Sequence, residues 1–134
     1  MRSKLLNLLI LIFIALVFYF SWLPNPHIGT YGFLPARLAY WTDADDNMNL
    51  RTAVPLVFLG LFSGMWLVSR KYTGPQWAVT WLGLIVIVAL AEIGQLALPK
   101  RHFDWGDIVW GAAGALGGMA VVWMVNRWIN QSFK

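Results

Sequence analysis

Between residues 92 and 107 an otherwise apolar chain concentrates its chemistry, placing Glu92, Gln95, Lys100, Arg101, His102, Asp104 and Asp107 in the stretch "EIGQLALPKRHFDWGD". Carboxylates in a half-buried setting suit general acid–base work. A guanidinium beside them suits a carboxylate partner or a phosphate, because its planar fork matches both. His102 with Asp104 and Asp107 makes only an incomplete metal set, since a dedicated site asks for ligands without capping duties. No metal and no cofactor are expected. Asp104 suits the cap of a following helix, and Asp107, three residues on, complements its dipole. A second carboxylate in the same turn exceeds what a cap needs, so Asp107 stays a ligand-binding candidate with Glu92, Gln95, Arg101 and Asp104.

Other chemistries find little support. The run "DADDNMN" at 43–49 alternates Asp43, Asp45 and Asn47 like a calcium loop, but Met48 stands where a glycine is needed and Val54 where the bidentate Glu belongs. Cysteine is absent, which removes disulfides, thiolate metal sites and cysteine nucleophiles. No serine elbow, phosphate-binding glycine loop or metalloprotease helix is present. The net charge of +4 comes from Lys and Arg that sit singly or in pairs at the ends of apolar runs, so nucleic acid is not an expected partner.

The elements that must position these residues are membrane spans. Of 134 residues 59% are hydrophobic and 12% charged, half the charge of an ordinary soluble domain, and the apolar residues gather into separate runs. One all-α domain over 1–134 is expected, with four transmembrane helices at about 5–23, 52–69, 77–98 and 107–125 and a long outer loop at 24–50. The end of the first run, "FYFSWLPNP", lacks a small-x-small cleavage pattern, which predicts an uncleaved helix. Pro55 falls in the first turn of the second run, where its missing donor matters little. The loop segment "GFLPARLAYW" predicts a short interfacial helix from near Pro35.

Arg2, Lys4, Arg70, Lys71, Arg127 and Lys134 fall on the side of both termini, against Arg37, Arg51, Lys100 and Arg101 on the other. That bias predicts cytoplasmic termini and places the loop 24–50 and the turn 99–106 outside. Trp66, Trp77, Trp81, Trp123 and Trp128 then form an inner aromatic belt, and Trp22, Trp105 and Trp110 an outer one. Glu92 and Gln95 share a face of the third span, about two turns inside its end, a depth at which a carboxylate must face protein or a wet cleft. Asp107, Gly111, Gly114 and Gly118 share a face of the fourth, and small residues there permit close approach of another helix. A tight hairpin of the third and fourth spans is expected, with Glu92 and Gln95 turned toward the glycines and Asp107 at the mouth.

Glu92-x-x-Gln95, followed by Pro99-x-Arg101-x-x-Asp104-x-x-Asp107 and the glycine-rich helix with Gly114, resembles the VanZ-like family of small bacterial membrane proteins. Upstream, "NLRTAVPLV" places Asn49 and Pro55 as in that family's N-x-x-x-F-x-P-L-G, with Ala53 and Val57 in place of Phe and Gly. The family usually carries Asn four residues after its last Asp, where this chain has Gly111. The resemblance implies a four-helix protein of the bacterial plasma membrane. The family's namesake gives low-level resistance to the lipoglycopeptide teicoplanin, and relatives are associated with export of envelope polysaccharide.

The expected function is to bind the polar head of an envelope lipid or glycolipid at the outer mouth, as an accessory in cell-envelope biology. Arg51 and Arg101 would meet phosphate, while Glu92, Gln95, Asp104 and Asp107, with Asn49 nearby, would order hydroxyls or the arginines. Membrane lipids are the expected partners. Two other readings stand beside it: a membrane-embedded hydrolase or transferase using Glu92 or Asp107 as base, and a purely structural scaffold in which Arg101 and the carboxylates staple the hairpin.

Overall fold

The structure, a computed structural model, describes residues 2–132. Lys134 and the side chain of Arg2, both part of the charge bias above, lie outside the described part. The chain forms helices α1 (Arg2–Ser21), α2 (Ala36–Asp43), α3 (Met48–Ser69), α4 (Gly74–Gln95) and α5 (Trp105–Ser132), with short 3-10 turns at Ile28–Tyr31 and Asp45–Asn47. Among the described residues there is no strand. Four of the helices, α1, α3, α4 and α5, are long and apolar enough to cross a membrane. The 22 residues of α3 rise about 33 Å, enough for a hydrocarbon core of about 30 Å. They run up and down, so the turn at 70–73 lies at the end of the termini, and the loop 22–47 and the turn 96–104 lie at the other.

The boundaries depart from the expected ones for local reasons. Helix α3 starts four residues before the apolar run, because Asp45–Asn47 winds directly into it and nothing in "MNLR" breaks a helix. Asn49 and Arg51 therefore sit on the helix, and Pro55 lies in its interior, not in its first turn. Without an N–H at 55, the carbonyl of Arg51 loses its intrahelical donor. Helix α4 begins early at Gly74, where Gln76 Oε1 accepts the Thr73 N–H at 3.2 Å and Pro75 suits the first turn. It ends at Gln95, three residues short of expectation, because the amides of Leu96, Ala97 and Leu98 bond three residues back in a tightening turn. In the loop, α2 starts directly after Pro35, where the sequence placed a short helix.

The close helix pair is α3 and α5, which corrects the expected hairpin of the third and fourth spans. A Cβ built on Gly114 would stand 2.6 Å from the Ala53 carbonyl oxygen, and those on Gly118 and Gly60 would overlap the backbone of Val57 and Ala115. The reason is that α3 has its own row of small residues, Ala53, Gly60 and Gly64, so both backbones approach. The matching face of α4 carries Leu84 and Val88, which hold it at side-chain distance. Gly111 of the stripe meets α4 through Val88. Trp81 ties α4 to α5 by donating Nε1–H to the Ala112 carbonyl at 3.0 Å. The core where the long helices meet is built from Leu56, Leu59 and Leu67 of α3 with Val17, Leu84, Ala91, Ala115 and Met119.

At the other end of α3, the Tyr72 N–H reaches the Leu67 carbonyl and the Lys71 N–H reaches Val68, both at 3.0 Å, with Lys71 in the left-handed region at φ 57. This is a helix stop that glycine favours. Lys71→Gly is expected to raise stability by about 0.5–1 kcal/mol, read as a higher melting temperature in detergent. An unchanged or lower value would contradict the strained turn.

Candidate functional site

The polar residues of the sequence meet at the end of the bundle opposite the termini. The last carbonyls of α1 have no partner within their own helix. Arg101, in the turn between α4 and α5, supplies one to Phe20, with Nη2 donating at 3.1 Å, while its Nε donates to the Leu23 carbonyl just past the helix end at 3.0 Å. Ser21 Oγ and Trp22 Nε1 donate to the Ala91 carbonyl at 3.3 and 3.0 Å. The Trp22 indole lies so close over Gly94 that any side chain there would collide with it. These contacts fasten the end of α1 to α4.

Glu92, only 2% exposed, joins α4 to the start of α5. Its Oε1 accepts from Gln95 Nε2 at 2.7 Å, and its Oε2 accepts from the Asp104 N–H at 3.2 Å. Gln95 Nε2 also donates to Ser21 Oγ at 2.8 Å. Asp104 caps α5 as its position suggested, its Oδ1 accepting from the Gly106 N–H at 2.7 Å. One turn on, Asp107 Oδ1 accepts from Thr52 Oγ1 of α3 at 2.9 Å. Arg51 reaches the other way, with Nη1 donating to the carbonyls of Pro26 at 2.8 Å and Thr42 at 3.2 Å. Asp43 holds the same loop by accepting from the Gly29 N–H at 3.0 and 3.2 Å.

These residues surround a cavity of about 310 Å³. Its polar end is made by Arg51, Thr52, Glu92, Gln95, Arg101 and Asp107, with Ser21 and Thr42 alongside. Its apolar wall is made by Phe13, Leu16 and Val17 of α1 with Val54, Pro55 and Phe58 of α3. Ile28, Leu34 and Trp41 of the loop also line it. Burial pushes the Arg101 guanidinium below its usual range, and the charge of Arg51 pushes it the same way. The two cations therefore sense each other, and both donate to backbone carbonyls, with no arginine–carboxylate hydrogen bond at the site among the described residues.

Of the candidates from the sequence, the structure gathers Glu92, Gln95, Arg51, Arg101 and Asp107 on one cavity, with Pro55 in its wall. Asp104 stands behind it as cap and amide donor. Asn49 lies beside Gly106 and is not part of the lining. Gly111, Gly114 and Gly118 act in helix packing. His102 and Lys100 are exposed, and among the described residues no group of three or more His, Cys, Asp or Glu is placed to hold a metal. Sequence reasoning missed Ser21, Thr52 and Thr42. The signal for the first two was position, since Ser21 ends α1 and Thr52 lies one turn inside α3, both hydroxyls at the end where Glu92 and Asp107 lie. Comparison of the chain with family models, with curated proteins and with solved structures gives no match.

Proposed function

We propose that this chain is a multi-pass protein of a bacterial plasma membrane that binds the polar head of an envelope lipid or glycolipid in the cavity between α1, α3 and α4. The carrying observation is that one cavity has charged and amide groups at one end and a wall of apolar side chains along α1 and α3, the two halves of an amphiphile. Membrane embedding is supported by the outward faces of the helices. Leu5, Leu8 and Leu11 of α1, Val79, Leu82, Val86 and Leu90 of α4, and Val109, Leu116 and Val121 of α5 are all exposed, more apolar surface than a water-soluble monomer carries. Arg70, Lys71 and Arg127 at the end of the termini support cytoplasmic termini and an outward-facing cavity. Affiliation with the VanZ-like family, and with it a role in envelope polysaccharide biology or teicoplanin-type resistance, belongs to the same proposal and rests on the motif residues alone.

A second reading has one observation in its favour. The Thr52 hydroxyl bonded to the Asp107 carboxylate is a nucleophile–base arrangement that a hydrolase or transferase would use. Thr52→Val would abolish turnover of a bound lipid in that case, whereas a binding protein retains its ligand chemically unchanged.

The test of the binding reading is lipid retained through purification. Leu16 lines the apolar wall and is not fully buried, so Leu16→Trp fills the cavity from α1 with little change to the helix pairs. Native mass spectrometry is expected to show a tightly retained lipid on the wild type and about tenfold less on Leu16→Trp, equivalent to about 1.4 kcal/mol. Equal retention by both proteins would place the lipid elsewhere and remove the reading.

A further inference from the structure

The polar end of the cavity leaves hydrogen-bonding groups of both signs without protein partners. Arg51 uses Nη1 on two loop carbonyls, and its Nη2 has no acceptor among the described residues. Arg101 uses Nη2 on Phe20 at the end of α1 and Nε on Leu23 just beyond it, and its Nη1 likewise has none. On the acceptor side, Asp107 Oδ1 is occupied by Thr52 while Oδ2 receives no donor among the described residues. Gln95 turns its amide nitrogen to Ser21 and Glu92, and its Oε1 receives no donor among the described residues either. All four residues line the same cavity.

We infer that the occupant is a zwitterionic phospholipid whose phosphate lies between Arg51 and Arg101 and whose primary ammonium meets Asp107 Oδ2 and Gln95 Oε1. The inference rests on the lipid-binding reading and narrows its chemistry. Two guanidiniums and the carboxylates of Glu92 and Asp107 line the cavity, and Asp104 stands behind Glu92. A head that is only anionic would satisfy the arginines while bringing negative charge into a site with no net positive charge to receive it. An uncharged sugar would leave both guanidiniums without an anion. A quaternary ammonium has no N–H for the two free acceptors and is usually held by aromatic cages instead. The volume of about 310 Å³ is at the lower end of ligand sites, about 300–1,000 Å³, and suits a compact head over an oligosaccharide. The acyl chains have a way out between α1 and α3, where Val54 and Phe58 line the cavity yet are 46% and 43% exposed.

The experiment uses the full chain, delipidated in detergent and titrated separately with dioleoyl phosphatidylethanolamine, phosphatidylglycerol, phosphatidylcholine and a monoglucosyl diacylglycerol, with bound lipid counted by native mass spectrometry. Phosphatidylethanolamine is expected to bind at least about tenfold more tightly than each of the others. Asp107→Asn should reduce its advantage over phosphatidylglycerol to about twofold or less, chiefly by weakening phosphatidylethanolamine. Should that variant fail to fold, the order of affinities of the wild type decides alone. Phosphatidylglycerol or the glycolipid binding as tightly as phosphatidylethanolamine, with Leu16→Trp still weakening binding about tenfold, overturns the zwitterionic head and leaves the lipid site standing. Binding of all four lipids that ignores Leu16→Trp overturns both.

Discussion

Gly114→Leu is expected to lower the stability of the protein in detergent by about 3 kcal/mol or more, while Gly117→Leu, three residues along, changes it by no more than about 0.5 kcal/mol. The two glycines stand on neighbouring turns but point about 60° apart around the helix axis. A Cβ at Gly114 would stand 2.6 Å from the Ala53 carbonyl oxygen and 3.3 Å from that residue's Cα, whereas one at Gly117 meets nothing within 4 Å. The obstacle at 114 is main chain, which cannot change rotamer, so relief requires α3 and α5 to move apart. That separation would also loosen Gly60 against Ala115 and Gly118 against Val57, contacts that depend on the same approach. Thermal unfolding of the two variants beside the wild type decides the matter, and a Gly114→Leu protein as stable as Gly117→Leu would mean that α3 and α5 are not in backbone contact.

The same pair of helices shows where sequence patterning reached and where it stopped. Four long apolar runs and the polar cluster at 92–107 were legible because hydrophobicity and helical spacing are local properties of the chain. The step of Gly111, Gly114 and Gly118 correctly marked a close-packing face, but a stripe of small residues does not name its partner. The partner was written in a second stripe, Ala53, Gly60 and Gly64, which was hidden inside an apolar run dominated by Leu, Val and Phe. Polar partners across helices were also out of reach. Thr52 and Asp107 meet only because α3 and α5 are adjacent. Arg101, expected against a carboxylate or a phosphate, reaches carbonyls that exist as free acceptors only because α1 ends at Ser21 beside it.

Glu92→Leu is expected to cost several kcal/mol, though leucine has nearly the volume of the side chain it replaces. The loss follows from two stranded donors. The Asp104 N–H has the Glu92 Oε2 as its acceptor, and Gln95 Nε2 would be left with Ser21 alone. A buried donor left unmade costs about 1–3 kcal/mol, and more where the lost partner is a charged group. Against this stands the removal of a carboxylate from an apolar setting, which returns part of the loss. Glu92→Gln should fall between the two, because one carbonyl oxygen replaces two acceptors and its amide opposes one of the same donors. Hydrogen exchange localises the effect: the Asp104 amide should lose protection in Glu92→Leu while amides in the middle of α4 keep theirs. Because Asp104 caps α5 and Asp107 follows one turn later, freeing that amide also frees the carboxylate that lines the cavity, and lipid retention should fall with it. If Asp104 is as well protected in Glu92→Leu as in the wild type, Glu92 does not hold the start of α5, and the cavity's polar end is organised by Arg51, Thr52 and Arg101 alone.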